Sequence, residues 1–186
     1  MTRPSQHISR QKGAALIVSL IMLLIMTVLG LSSVRTTSLE EKMSANTYDR
    51  SLAFQAAEAG LRIGEGLAKT ASENGNIAFP NAGVYVDADE NCGTSPCNSD
   101  GLCATPDPNC TERWKNPAFT QWRTAAVTLG GLSVTPAYFV EYLGDGFPCD
   151  VNNATGSLNC KRYRITARSV AAGRASVMLQ SIYATN

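Results

Sequence analysis

From Gly13 to Val34 the chain carries no charged side chain, and the run is entered from Arg10, Gln11 and Lys12 and left at Arg35. As a helix rising ~1.5 Å per residue it is roughly 33 Å long, enough for a bilayer core of roughly 30 Å. A run of this kind predicts a membrane helix, because in lipid every backbone N–H and C=O must be satisfied within the segment. The junction is the informative part. A secretory signal places its small-residue cleavage site after the apolar core, whereas here the small residue, Gly13, stands before it. Cutting after Gly13 removes residues 1–13 and leaves the apolar helix, 14–34, as the new N-terminus.

Arg3, Arg10 and Lys12 precede the span, while Arg35, Glu40, Glu41 and Lys42 follow it with mixed sign. The positive-inside rule then keeps the N-terminus in the cytoplasm and sends the remainder across the membrane. All six cysteines, Cys92, Cys97, Cys103, Cys110, Cys149 and Cys160, lie beyond the span. An even number in an oxidising compartment predicts disulfides. Zinc is disfavoured, because no C-x-x-C pair occurs and the single histidine, His7, lies in the leader. Cys149 and Cys160 are read as one bridge closing a loop rich in Asn, Asp and Gly. The other four fall in a loop, 87–116, with almost no large apolar side chain. Such a segment has no core of its own and depends on staples. Pairing among those four, and a cross-link to the later pair, both stay open.

No proline follows the leader until Pro80, so nothing stops the helix at the membrane surface. From Ala53 onward small and apolar residues recur with the 3.6-residue period at Ala56, Ala57, Gly60, Ile63, Gly64 and Leu67. Glu58 and Arg62, at i and i+4, suit a helical ion pair on the other side. The expected helix therefore runs from Ala14 to about Lys69, with an amphipathic part over 35–69, and Asn74-Gly75-Asn76 ends it. In the head, 70–186, Gly83–Val86 and Ala137–Leu143 read as strands and Asn116–Val127 as a short helix, since Phe119, Trp122 and Ala126 stand at i, i+3 and i+7. Trp114 and Trp122 are expected in or at the edge of a core. Over 161–184 Tyr163, Ile165 and Ala167 alternate with Arg162, Arg164, Thr166 and Arg168, then Val177, Leu179 and Tyr183 return on one side. That pattern predicts a half-buried antiparallel hairpin.

The K-G junction is followed by two further blocks: Arg35-Thr36-Thr37-Ser38-Leu39-Glu40-Glu41, and Ala53-Phe54-Gln55-Ala56-Ala57-Glu58-Ala59-Gly60-Leu61-Arg62. Together they cover about the first third of the chain and resemble the N-terminal signature of the PilX minor pilins. The resemblance implies an α+β, type IV pilin-like fold: a long N-terminal helix packed on an antiparallel sheet, with a disulfide-rich loop. It also implies that Lys12 and Gly13 are processing determinants read by a prepilin peptidase, with Ala14 methylated after cleavage. Val18 and Glu58 are the residues assigned to assembly. In most pilins the fifth residue of the processed chain is glutamate, thought to neutralise a neighbour's N-terminal amine in the filament core. Valine offers no such partner, and charges in that environment are costly unless paired. The departure suits an end of a filament rather than its repeating body.

Catalytic chemistry finds little support. Loss of the leader removes the only histidine, and no phosphate-binding glycine loop or H-E-x-x-H motif is present. Adjacent Glu40 and Glu41 project to different helix faces. The chain is read as a non-enzyme without cofactor. Asp87, Asp89 and Asn91 occupy the first, third and fifth places of a calcium loop, but Cys92 stands where the turn glycine belongs and the twelfth-place glutamate is missing, so they are weak candidates. The basic stripe Arg162, Arg164 and Arg168 is read as a solvated strand face, and a net charge of +1 gives no bulk attraction to nucleic acid.

The function implied by the resemblance is that of a minor pilin which primes pilus assembly and sits at or near the tip. Its partners would be other minor pilins, the major pilin, a tip-associated adhesin and the prepilin peptidase. It would reside in the inner membrane before assembly and in the pilus afterwards, supporting twitching motility and adhesion. A tip pseudopilin of type II secretion shares the leader and the missing glutamate but usually carries a larger head. An uncleaved single-pass anchor presenting a periplasmic binding domain is the alternative from another class.

Overall fold

The structure is a computed structural model and describes residues 13–80, 97–125, 127, 135–150, 152, 156–171 and 173–185. Among the described residues one helix, α1, spans Ala14–Glu73, and five strands follow: β1 (Leu102–Cys103), β2 (Arg123–Thr124), β3 (Ala137–Phe147), β4 (Cys160–Ser169) and β5 (Val177–Thr185). The chain divides into two units, residues 1–46 and 47–186.

In the first unit every described side chain is exposed. The helix here is long and apolar enough to cross a membrane, with a mean hydropathy of 2.8. Two of its hydroxyls are satisfied internally: Ser19 Oγ donates to Leu16 O at 2.9 Å and Thr27 Oγ1 to Leu24 O at 2.8 Å. That back-bonding removes the cost of an unpaired polar group in hydrocarbon.

In the second unit the packed face of α1 begins at Leu52 and continues through Ala53, Ala56, Ala57, Gly60, Gly64, Ala68 and Ala71. Small residues at helical spacing let the helix approach the sheet closely. A Cβ at Gly60 would lie 3.1 Å from Ala167 Cβ, and one at Gly64 only 2.5 Å from Ile165 Cγ2. The helix ends four residues beyond the expected Lys69. Gly75 (φ 71°) and Asn76 (φ 62°) turn the chain left-handed, Gly75 N donating to Ser72 O at 3.0 Å and Asn76 N to Ala71 O at 2.8 Å. This pair of bonds caps the last carbonyls, and Gly and Asn are the residues that tolerate the conformation. Among the described residues Glu58 is exposed and forms no ion pair with Arg62, which corrects that expectation.

The sheet order is β1-β3-β4-β5, with β2 pairing the start of β3. β3, β4 and β5 are antiparallel neighbours, and β1 runs parallel to β3. Register places Val140 opposite Ile165, Tyr142 opposite Tyr163 and Tyr163 opposite Tyr183. These residues form the core against α1 together with Ala68, Ala71 and Phe79. The long-helix-on-sheet α+β arrangement expected from the sequence is the one observed. The hairpin residues Tyr163, Ile165 and Ala167 point inward as their alternation required. β3 is longer than the expected Ala137–Leu143, and the Gly83–Val86 strand lies outside the described residues.

The short helix expected over Asn116–Val127 is not formed. Asn116 Oδ1 accepts the Ala118 amide at 2.9 Å, an Asx turn into Pro117 that competes with helix. Thereafter the chain is extended, with Arg123 paired to Tyr138 and Ala125 N donating to Pro136 O. Phe119 and Trp122 still share a surface, because both meet the Phe139 ring edge-on at centroid distances of 4.9 and 4.8 Å. Their i, i+3 spacing records a common target rather than a helical face.

Candidate functional site

Gly13 is exposed, and its surroundings hold no heavy atom within 4 Å of a Cβ position. The helix starts at the next residue, Ala14, so a cut after Gly13 leaves every residue of α1 in place. Val18 lies in the second turn with 57% of its surface exposed, amid Leu16, Ile17, Leu20 and Ile21, which are likewise uncovered. Among the described residues of this unit nothing buries that surface, so its stability in water depends on lipid or on other chains. Lys12 lies outside the described residues.

The outer face of the sheet, opposite α1, carries the second concentration of functional groups. Phe139 and Glu141 of β3 point to this side, facing Thr166 and Arg164 of β4 across the ladder. The segment 97–125 covers them. Cys97 is bridged to Cys103, Cys149 to Cys160, and Cys110 is also disulfide-bonded; Cys92 lies outside the described residues. Trp114 and Trp122 pack with Phe119 on Phe139, a core-edge placement as expected. Glu141, with no exposed surface, is held by Arg113 Nη1 on Oε1 at 2.5 Å and by Arg164 Nε on Oε2 at 2.6 Å. Burial of a carboxylate is tolerable only with such pairing.

The basic stripe is therefore not a solvated face. Arg164 is paired with Glu141, Arg168 stacks over the Trp122 ring at 3.9 Å and Arg162 over the Phe147 ring at 4.6 Å. Burial lowers the Arg168 pKa from the ordinary arginine range. Guanidinium groups committed to aromatic faces and a buried carboxylate are poorly placed for DNA phosphates. Arg113 and Glu141 were missed by sequence reasoning. A lone acidic residue inside the otherwise apolar Ala137-Tyr138-Phe139-Val140-Glu141-Tyr142-Leu143 was the available signal, since a buried charge demands a partner.

Among the described residues no cluster of His, Cys, Asp or Glu is placed to hold a metal ion. Asp87, Asp89 and Asn91 fall outside the described residues.

Residues 12–62 match the family described as PilX N-terminal, and residues 99–185 match the one described as type IV pilus assembly protein PilX C-term. No curated protein and no solved structure gave a match to the chain. The two matches take in the helix as far as Arg62, with both of its sequence blocks, and the sheet with nearly all of its covering segment, so the chain belongs to the PilX family of type IV pilus assembly minor pilins.

Proposed function

We propose that the chain is made as an inner-membrane precursor with a cytoplasmic N-terminus, cleaved after Gly13 by a prepilin peptidase and methylated on Ala14. It then joins other minor pilins through α1 to prime assembly of the pilus, and remains at or near the tip beneath a tip-associated adhesin, with the major pilin following. The single observation that carries this reading is the helix start. A helix begins at Ala14, immediately after an unobstructed glycine; its apolar first part is exposed and its later part is packed in the head. The protein acts by packing, not by catalysis, and the family it belongs to is a structural one.

Val18 supports the tip position. A subunit without a carboxylate at that place has no group to pair with the amine of a neighbouring chain, yet offers its own amine to a neighbour's carboxylate. That asymmetry fits an end of the filament. Twitching motility and adhesion then follow from the pilus it primes.

Intact-mass measurement of the membrane-extracted protein tests the reading. The expected mass is that of residues 14–186 plus one methyl group, and Gly13→Trp should retain the full leader because the peptidase cleft admits only a small residue there. Normal processing of Gly13→Trp, or a wild-type chain that keeps residues 1–13, would overturn it.

A further inference from the structure

The Arg168 guanidinium lies over the Trp122 ring at 3.9 Å, and Lys115 Nζ lies over the Trp114 ring at 4.6 Å. Stacking engages the flat face of a guanidinium and leaves its N–H groups, which lie in the plane, for other partners. Among the described residues those of Arg168 have no acceptor, since it enters no ion pair and donates no hydrogen bond. Nor are its nitrogens closed off, as Nε and Nη2 of Arg113 are, so all three stand open to water. The same holds for the indole N–H groups of Trp114 and Trp122.

Arg168, Lys115 and the two tryptophans line one cavity of about 380 Å³, with Asn116 and Thr120 beside them. Asn116 Oδ1 is taken by the Ala118 amide, which leaves its NH2 group as a donor. The lining therefore combines hydrogen-bond donors with aromatic surface, and among the described residues it includes no carboxylate. Lys115 is shared with Glu112, whose oxygens lie 3.1 Å from Nζ, so within this lining Arg168 is the uncompensated charge.

Such a lining selects a small monoanion that is rich in acceptors and has an apolar side. A hexuronate, with one carboxylate, ring hydroxyls and a C–H face, has that composition. A phosphodiester chain calls for a row of cations along its phosphates, and this lining offers a single uncompensated one. An acidic peptide side chain supplies the carboxylate but not the hydroxyl acceptors.

We infer that this cavity binds a hexuronate residue of an acidic polysaccharide, its carboxylate on the open N–H edge of Arg168 and its C–H face against the indole surface. The site lies on the face of the sheet opposite α1, so its failure leaves the reading above intact.

The test uses the full chain in a detergent without a sugar headgroup. It is titrated with methyl glucuronide, methyl glucoside, the blocked peptide acetyl-Gly-Glu-Gly-amide, inorganic phosphate and oligothymidylate, and the fluorescence of Trp114 and Trp122 is read. Methyl glucuronide should give a saturable change, and methyl glucoside, which lacks the carboxylate, should bind about tenfold more weakly or less. Arg168→Lys, which keeps the charge but loses the planar fork, should weaken the glucuronide by about tenfold. Should that variant disturb folding, Lys115→Glu carries the test: Lys115 is exposed, and reversing its charge should weaken the glucuronide by about tenfold. Equal affinity for glucuronide and glucoside overturns the inference, and so does an equal response to the glutamate peptide. Tighter binding of phosphate or oligothymidylate than of glucuronide overturns it as well, as does the absence of a saturable response or an affinity unmoved by Lys115→Glu.

Discussion

The two faces of the central sheet are covered by different means. Against α1 the contact is made by Ala and Gly on the helix and by Tyr163, Ile165, Ala167 and Val140 on the strands, without a buried ion pair among the described residues. Against the segment 97–125 the cover is thinner in apolar groups, and three aromatic rings, disulfides and the Glu141 ion cluster hold it. The first face is specified by shape and the second by paired polar groups and cross-links. A helix with a regular small-residue stripe buries its surface by approach alone, whereas an irregular loop has too little apolar surface for that and needs directional bonds.

The contrast can be broken most severely at Glu141. Glu141→Gln leaves two arginines without their shared carboxylate and should destabilise the head by about 3–5 kcal/mol. Chemical denaturation of the detergent-solubilised chain, followed by Trp114 and Trp122 fluorescence, measures it. A loss below about 1 kcal/mol would mean that the outer face does not depend on the ion cluster.

On the helix side the sharper probe is a pair of glycines two residues apart. Gly64→Ala places a methyl where Ile165 Cγ2 already sits, and the branched, buried isoleucine has little room to yield. Overpacking of about 1–3 kcal/mol, less the roughly 1 kcal/mol helix gain of alanine, leaves a net loss of up to about 2 kcal/mol. Gly66 has nothing within 4 Å of its Cβ position, so Gly66→Ala should stabilise by about 0.5–1 kcal/mol. Thermal unfolding followed by circular dichroism compares them. Equal effects at the two positions would show that close approach is not what the small residues serve.

The smallest effect concerns the tyrosines of the helix-side core. Tyr163 donates to Asn76 Oδ1 at 2.7 Å, and burial pushes its phenol pKa above the ordinary 10.0. Burial raises Tyr142 in the same direction. A raised folded-state pKa means that the native chain holds its proton longer than the unfolded one. The stabilisation is complete below about pH 10 and is lost as pH rises through the folded-state value. Tyr163→Phe should cost about 1 kcal/mol at neutral pH and shallow the alkaline fall, as read from denaturation midpoints between neutral and strongly alkaline pH. An unchanged alkaline slope would place the sensitivity elsewhere.

Much of this fold was legible in the chain because the governing patterns are local. The uncharged run after Gly13, the Ala and Gly spacing from Ala53 to Gly64, the Asn74-Gly75-Asn76 stop and the alternation around Tyr163 and Ile165 each fall within a few turns or one strand. Periodicity reads such features directly, since a helix and a strand impose their repeats on neighbours in sequence. The outer layer was not legible. Arg113 and Glu141 are 28 residues apart, Glu141 and Arg164 23, and only the pairing of β3 with β4 and the return of the segment 97–125 bring the three together. The arginines of β4 look identical on paper to a solvated stripe. Whether they face water or a covering loop depends on where that loop lies, and a loop with no repeating pattern carries no signal of its own destination. The same holds for Phe119 and Trp122, whose spacing fits a helix equally well until Phe139 is known to lie beneath both.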